Sequence, residues 1–283
     1  MINPTTISEQ LLFSTVRIAV ERLSGEKATG TGFFFDFPVD KHKSIPTIIT
    51  NKHVITDAIK GSFQLHIANL NQESYIPSGH FFNVDIYEFE KRWIMHPCKD
   101  IDLCAMPIQP LINNVEADGK RVFRIPLTDN WIFSDSTLEE LSAVEEILMI
   151  GYPNGLWDEF NNLPLIRRGT TATHPAIDFL GKSQMVIDAA CFPGSSGSPV
   201  LIVNEGIVTK KSGLYVEDRI ILLGILFSGP CMNAQGDIVI QEIPTIQQPI
   251  SLTRLMIHLG YIIKAKEIKV LGEYIKQEIS TIQ

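Results

Sequence analysis

Ten short runs of apolar, β-forming residues constrain this 283-residue chain more than any other feature. They are Ser14–Val20, Gly32–Phe35, Thr47–Thr50, Phe63–Ile67, Val84–Phe89, Leu103–Ile108, Ile147–Ile150, Met185–Ile187, Pro199–Val203 and Ile220–Phe227. Gly, Pro, Asn and Asp punctuate them. Many short strands with frequent turns read as an all-β barrel or sandwich. Helical periodicity is missing until Ser251, after which Leu252, Leu255, Met256, Leu259, Ile262 and Ile263 recur at three- and four-residue steps. Ser251 is a suitable N-cap there. Gly260 and Gly272 weaken one long helix, so the pattern predicts two pieces, the second over Lys264 to Glu278. The stretch Leu111–Trp131, rich in Asn, Asp, Gly and Pro, is the best connector between two halves.

Charge and cysteine content narrow the function classes. With 24 basic against 32 acidic residues the formal net charge is −8 and the pI is near 5.4. Phosphate backbones need a basic field, so no general nucleic-acid surface is expected. No run is long and apolar enough to span a bilayer: Leu11–Val20 is short and contains Arg17. The first ten residues carry no Lys or Arg, so a secretory n-region is missing and the chain reads as cytoplasmic. Cys98, Cys104, Cys191 and Cys231 form no CxxC pair and no zinc-type spacing, and read as buried reduced thiols.

Three motifs carry chemistry. The first is Thr50-Asn51-Lys52-His53-Val54-Ile55, in which an apolar strand delivers His53 to a turn. Upstream, Gly30-Thr31-Gly32-Phe33 permits a tight turn followed by a strand. The second is Asp100-Ile101-Asp102-Leu103-Cys104-Ala105-Met106-Pro107-Ile108, which places a carboxylate at the head of an apolar strand, where it can accept a hydrogen bond from an imidazole. Asp102 and Asp100 are both candidates. The third runs from Asp188 to Val200 and contains Phe192-Pro193-Gly194-Ser195-Ser196-Gly197-Ser198-Pro199. A nucleophilic serine needs an exposed hydroxyl, little bulk, and backbone N–H groups aimed at one point. Gly194 and Gly197 flank Ser196 and allow unusual backbone angles. The N–H groups of Gly194 and Ser196, with Ser195 between them, suit an oxyanion hole. The spacings, 49 and 94 residues, put His53 and Asp102 in the first half and Ser196 in the second, so a joint site would lie between two β units.

In order and local sequence these motifs resemble the trypsin-like serine proteases of the chymotrypsin fold, closest to the HtrA/Deg-type branch. Thr50-Asn51-Lys52-His53-Val54 resembles T-N-x-H-V. Asp102-Leu103-Cys104-Ala105-Met106-Pro107-Ile108 resembles D-[IL]-A-V-L-x-I, a register that favours Asp102 over Asp100. Asp188 through Pro199 resembles D-A-A-x-x-P-G-N-S-G-G-P, and Gly151-Tyr152-Pro153-Asn154-Gly155 resembles a Gly-x-Pro-x-Gly element. The likeness covers roughly residues 12 to 245.

The resemblance implies two six-stranded β-barrels, residues 1–115 with His53 and Asp102 and residues 116–248 with Ser196; the periodicity after Ser251 adds a helical segment over 249–283. It implies an endopeptidase acting on protein or peptide without metal or organic cofactor. Ser196 would attack the peptide carbonyl, His53 would take and return the proton, and Asp102 would orient the imidazole. The alternatives are a catalytically silent trypsin-like domain that binds peptides or regulates, and an acyl hydrolase other than a protease.

Departures from the family pattern carry information. Ser195 replaces the usual Asn and Ser198 the usual second Gly. In secreted zymogens of this fold an Asp precedes the nucleophile and pairs with a freshly cut N-terminus. Ser195 stands there instead, so N-terminal clipping is not expected to be the switch. The pocket floor, six residues before the nucleophile, is Ala190 rather than an acid, and the opposite wall is drawn from Gly224 to Gly229, including Phe227, Ser228 and Gly229. This implies cleavage after small or medium apolar residues. The residues after Glu242 are too few for a PDZ domain, which leaves the C-terminal helices to pack on the second barrel or to dock a regulatory partner or a second copy. His96 and His174 read as structural or solvated, Arg167-Arg168 as a basic surface pair, and Trp93, Trp131 and Trp157 as packing anchors.

Overall fold

The computed structural model describes residues 1–70, 75–210, 213–216, 218–237, 250–256 and 258–282. Nine strands build the first unit: β1 Thr15–Arg22, β2 Lys27–Pro38, β3 Ser44–Thr50, β4 Ala58–Ala68, β5 Pro77–Tyr87, β6 Ile94–Met95, β7 Cys104–Pro107, β8 Val122–Phe123 and β9 Leu127–Thr128. They pair as one sheet along the path β5-β4-β1-β2-β3-β7-β6, with β8 on β4 and β9 on β2. β1 alternates in the expected way, burying Val16, Ile18 and Val20 while Arg17 and Ala19 are only half-buried. β2 does not alternate, because both of its faces are covered. Phe34 enters the core of the first unit, while Phe33 and Phe35 enter a second core that both units share.

The second unit contributes β10 Glu146–Gly151, β11 Leu165–Thr171, β12 Gln184–Asp188, β13 Pro199–Asn204, β14 Ile207–Lys210, β15 Gly213–Val216, β16 Arg219–Ser228, β17 Cys231–Asp237, β18 Ile250–Met256 and β19 Leu259–Lys264. Six of these close a barrel in the order β10-β11-β12-β19-β16-β13. The pairs β14-β15 and β17-β18 stand apart from it. The all-β architecture with a C-terminal helix is therefore as expected, but the first unit has nine strands rather than six.

Three sequence expectations need correction. The Gly30–Phe33 segment is no turn; it lies inside β2. The connector over 111–131 is not a loop either. It contains most of a helix, Gln109–Ala117, and both β8 and β9, which pair with β4 and β2 of the first sheet. Most instructive is the C-terminal segment. Residues 251–256 and 259–264 form strands, and β19 is hydrogen-bonded on both edges, to β12 and β16. A strand buried on both faces has no polar alternation, so its apolar positions also fit a helical period.

One helix, Lys266–Ile282, then runs straight through Gly272. A Cβ at that glycine would fall within the Phe37 ring. The missing side chain thus seats the helix against β2, which offsets the ~1 kcal/mol that glycine costs in a helix. Its inner face, Ile268, Leu271 and Ile275, joins Phe35, Phe37, Leu103, Ile132, Leu222 and Ile225 in the shared core. At ~1.5–3 kcal/mol per buried side chain, this contact is large against a typical total stability of ~5–15 kcal/mol. The helix clasps both units rather than the second barrel alone, and its apolar stripe is spent inside the molecule.

Cys104 and Cys191 are buried free thiols, but Cys98 is exposed on the loop before Asp102; the Cys231 side chain lies outside the described residues. Among the described residues no helix is long and apolar enough to cross a membrane.

Candidate active site

Register brings the first two residues together. β3 and β7 are antiparallel, with Thr50 opposite Cys104. His53 follows the end of β3 and Asp102 precedes the start of β7, so both emerge at one edge of the sheet. His53 sits on a one-turn helix, Lys52–Ile55; Asn51 stands at its N-cap position but makes no side-chain capping bond. Asn51 Nδ2 donates to the Asp102 carbonyl oxygen at 2.8 Å. The two Asp102 carboxylate oxygens are divided: Oδ1 accepts the His53 backbone N–H at 3.1 Å, and Oδ2 lies 2.5 Å from His53 Nδ1. That pairing puts the proton on Nδ1 and leaves Nε2 free to accept one. Asp100 is exposed and makes no such contact among the described residues. Lys52 Nζ ties down the loop in front of Asp102 by donating to the carbonyls of His96, Cys98 and Lys99.

Ser196 arrives from the second unit on a loop that Thr31 of β2 gathers in. Thr31 N–H donates to the Ser196 carbonyl at 2.8 Å, and its hydroxyl donates to the Gly194 carbonyl at 3.0 Å. Thr50 Oγ1, three residues before His53, donates to the Thr31 carbonyl at 2.6 Å. Ser196 and His53 are thereby placed on either side of the same threonine. Ser196 Oγ makes no hydrogen bond among the described residues; such contacts are often long before substrate binds.

The loop's backbone donors divide into two sets. Ser195 N–H donates to the Phe192 carbonyl at 3.0 Å, Gly197 N–H to Leu226 at 2.8 Å and Ser198 N–H to Ser195 at 3.0 Å. The N–H groups of Gly194 and Ser196 donate to nothing among the described residues. Ser195, expected as a third oxyanion donor, instead closes the turn Phe192-Pro193-Gly194-Ser195. With Pro second and Gly194 third at φ +83°, this is a type II turn. The Pro193 carbonyl accepts from Asn154 N–H at 2.5 Å. In a planar trans peptide the N–H points opposite the C=O, so Gly194 N–H is turned away from Asn154. Gly197, at φ +88°, is equally constrained, because a Cβ there would strike the Thr31 carbonyl.

Ala190 is half-buried and its carbonyl accepts from Arg167 Nη1. The opposite segment is joined to the serine loop by paired bonds, Gly197 N–H to the Leu226 carbonyl and Leu226 N–H to the Ser198 carbonyl at 3.0 Å. Beyond Leu226, the Phe227 ring packs against the shared core, Ser228 is exposed and Gly229 half-buried. Phe192 meets the His258 ring edge-on with centroids 6.2 Å apart, and Ala189 N–H donates to the His258 carbonyl at 2.9 Å.

Sequence reasoning passed over Thr31, Asn154 and Arg167. The surface reading of Arg167-Arg168 was half right. Arg168 is exposed and pairs with Glu146 at 2.7 Å, but Arg167 points inward. Neighbours in a strand face opposite sides, and that alternation was the available signal. Among the described residues no group of three His, Cys, Asp or Glu side chains is arranged to hold a metal ion.

Residues 30–208 match the family model of the trypsin-like peptidase domain. The chain belongs to that family and is a trypsin-like serine protease. No curated protein matches its sequence. Among solved structures, the protease is similar to the inactive form of a serine-to-alanine mutant of Rv3671c from M. tuberculosis H37Rv, at 14% identity and TM-score 0.45, over 98% of this chain and 92% of that one. The active form of the M. tuberculosis Rv3671c protease is similar at 15% identity and TM-score 0.42, over 91% and 78%. The HtrA-type protease AlgW, solved with a tripeptide, is similar at 14% identity and TM-score 0.48; 95% of this chain is covered but only 60% of AlgW. The protease fold implies protein or peptide substrates.

Proposed function

We propose that this protease is an endopeptidase whose nucleophile is Ser196, with His53 as general base and acid and Asp102 as its orienting carboxylate. Ser196 Oγ attacks the peptide carbonyl carbon as its proton passes to His53 Nε2. The carbonyl π pair moves onto oxygen, where Gly194 N–H and Ser196 N–H receive the negative charge. The pair returns, the C–N bond breaks, and the imidazolium proton goes to the leaving amine. Water then repeats the sequence on the acyl-enzyme and restores the serine. The observation that carries this reading is the set of donors around Ser196: the N–H groups of Ser195, Gly197 and Ser198 are engaged, while those of Gly194 and Ser196, like that of Phe192, have no partner among the described residues. Ala190, in place of an acid at the pocket floor, supports cleavage after small or medium apolar residues.

The test is fluorophosphonate labelling of the wild type beside Ser196→Ala, with intact mass to locate the adduct, followed by cleavage of a peptide library. A Ser196 adduct and turnover after small apolar residues are expected. A folded wild type that takes no label would indicate the silent peptide-binding domain instead, and cleavage only after Arg would refute the pocket assignment.

A further inference from the structure

Arg167 is a charged feature of the serine side that the mechanism above does not use. It lies on β11, half-buried, and points behind the serine loop. Nη1 donates to the Ala190 carbonyl and Nη2 donates to Ser195 Oγ at 2.9 Å. Ser195 is fully buried, so its hydroxyl has no water to turn to. Arg167 Nε is buried without a partner. No carboxylate among the described residues pairs with this guanidinium, and burial lowers its pKa from the ordinary arginine value. A half-buried cation without a counter-ion still pays desolvation, and replacing such groups by apolar ones is often neutral or stabilising. Stability alone therefore gives little reason for an arginine here.

The two groups it grips bracket the catalytic loop. Ala190 stands at the pocket floor, and Ser195 lies between the two free N–H donors. One rigid, planar fork thus fixes the distance between the pocket floor and the oxyanion turn. From the front, Asn154 holds the Pro193 carbonyl; from behind, Arg167 holds Ser195. With both in place the Gly194 peptide has one orientation.

We propose that Arg167 is a positioning residue that keeps the oxyanion loop in its active form, as a built-in cation where related zymogens wait for a freshly cut N-terminus. This inference rests on the Ser196 reading above. It also explains the serine at position 195. A guanidinium already bonded to a carbonyl and a hydroxyl needs no acid to hold it, and no cleavage to supply it.

The test compares wild type, Arg167→Met, Arg167→Lys and Ser195→Ala as full chains. Three readouts are taken: fluorophosphonate labelling rate, kcat and KM on a peptide ester, and amide exchange across residues 189–198. Losing a single oxyanion donor costs about 10²–10³ in kcat elsewhere. Arg167→Met is expected to label and turn over about 100-fold more slowly, with KM within about twofold of wild type and faster exchange at Gly194 and Ser195. Arg167→Lys keeps the cation and is expected to recover about tenfold of that loss; Ser195→Ala, which removes one contact, is expected to lose about tenfold. A folded Met variant with wild-type rate and exchange overturns the proposal. So does a variant with unchanged kcat whose KM rises for one class of side chain, which would make Arg167 a specificity residue. If Arg167→Met does not fold, wild-type rates in both the Lys and Ser195→Ala variants overturn it. If the wild type takes no label, the Ser196 reading fails, and the exchange data still decide the role of Arg167.

Discussion

The two sides of the cleft are held in place by different means. On the first unit, side chains define the site. Asp102 grips His53 at two points, Asn51 and Lys52 anchor the Asp102 loop, and the strands beneath are packed with phenylalanine and isoleucine. On the second unit, the backbone defines it. In the proposed mechanism the working groups there are two amides, and their direction depends on two positive-φ glycines, one carbonyl–amide contact to Asn154 and one half-buried arginine. Side-chain sites of the first kind tolerate loop variation as long as the packing holds. Backbone sites of the second kind can be switched by a single peptide rotation, so control of this protease is expected to act on the serine side.

The largest expected effect removes chemistry from the serine side. Ser196→Ala should lower kcat by about 10⁶, as in comparable triads, with the thermal midpoint within ~2 °C of wild type. Turnover within tenfold of wild type would mean the nucleophile lies elsewhere. Asp102→Asn does the equivalent to the histidine side. It turns an acceptor of Nδ1–H into a group that can present a donor, which favours the wrong tautomer, and kcat should fall by about 10⁴. Asp100→Asn, measured alongside, should change little.

Gly197→Ala tests whether backbone geometry governs the serine side. The added methyl meets the Thr31 carbonyl, and the positive φ adds strain, so about 3 kcal/mol of stability should be lost in urea unfolding. A loss under ~1 kcal/mol would show that the two units can slide apart at Thr31 without cost.

The last effect, felt only as pH falls, concerns a seam between the units. His66 on β4 donates through Nε2 to the Asn162 carbonyl at 3.0 Å and packs edge-on against Phe13 and Phe81. Burial lowers its pKa from 6.5 to about 4. The unfolded chain therefore takes up the proton first as pH falls. Stability present above pH 6.5 is lost between about 6.5 and 4, then levels off, for a total of about 3 kcal/mol. His66→Phe should flatten the unfolding free energy over that interval by a similar amount. An unchanged pH profile would show that His66 is already free to charge in the folded state.

The histidine and serine motifs were legible because their chemistry is local in sequence. An imidazole after an apolar strand, and a serine between glycines, announce themselves within ten residues. Asp102 was separable from Asp100 only by family register, until strand pairing put Thr50 opposite Cys104. The parts that were not legible depend on long-range contact. Thr31 matters because it meets residues far along the chain, and nothing beside it in sequence indicates that. Arg167 was hidden by its neighbour, which shares its charge but faces solvent. The C-terminal strands were hidden by their burial, since β19 carries apolar groups on both faces and so imitates a helix. Gly272 was read as a break because its partner, Phe37, is remote in sequence.

The place of β19 in the barrel also sets the order in which a nascent chain can become dangerous. It lies between β12 and β16, so the barrel that carries Ser196 cannot close before Lys264 has been synthesised. About 70 residues separate the two, which at ~5–20 residues per second is a delay of roughly 4–14 s. During that interval Ser196 has been synthesised, but β19, which closes its barrel, and the helix that clasps the units have not.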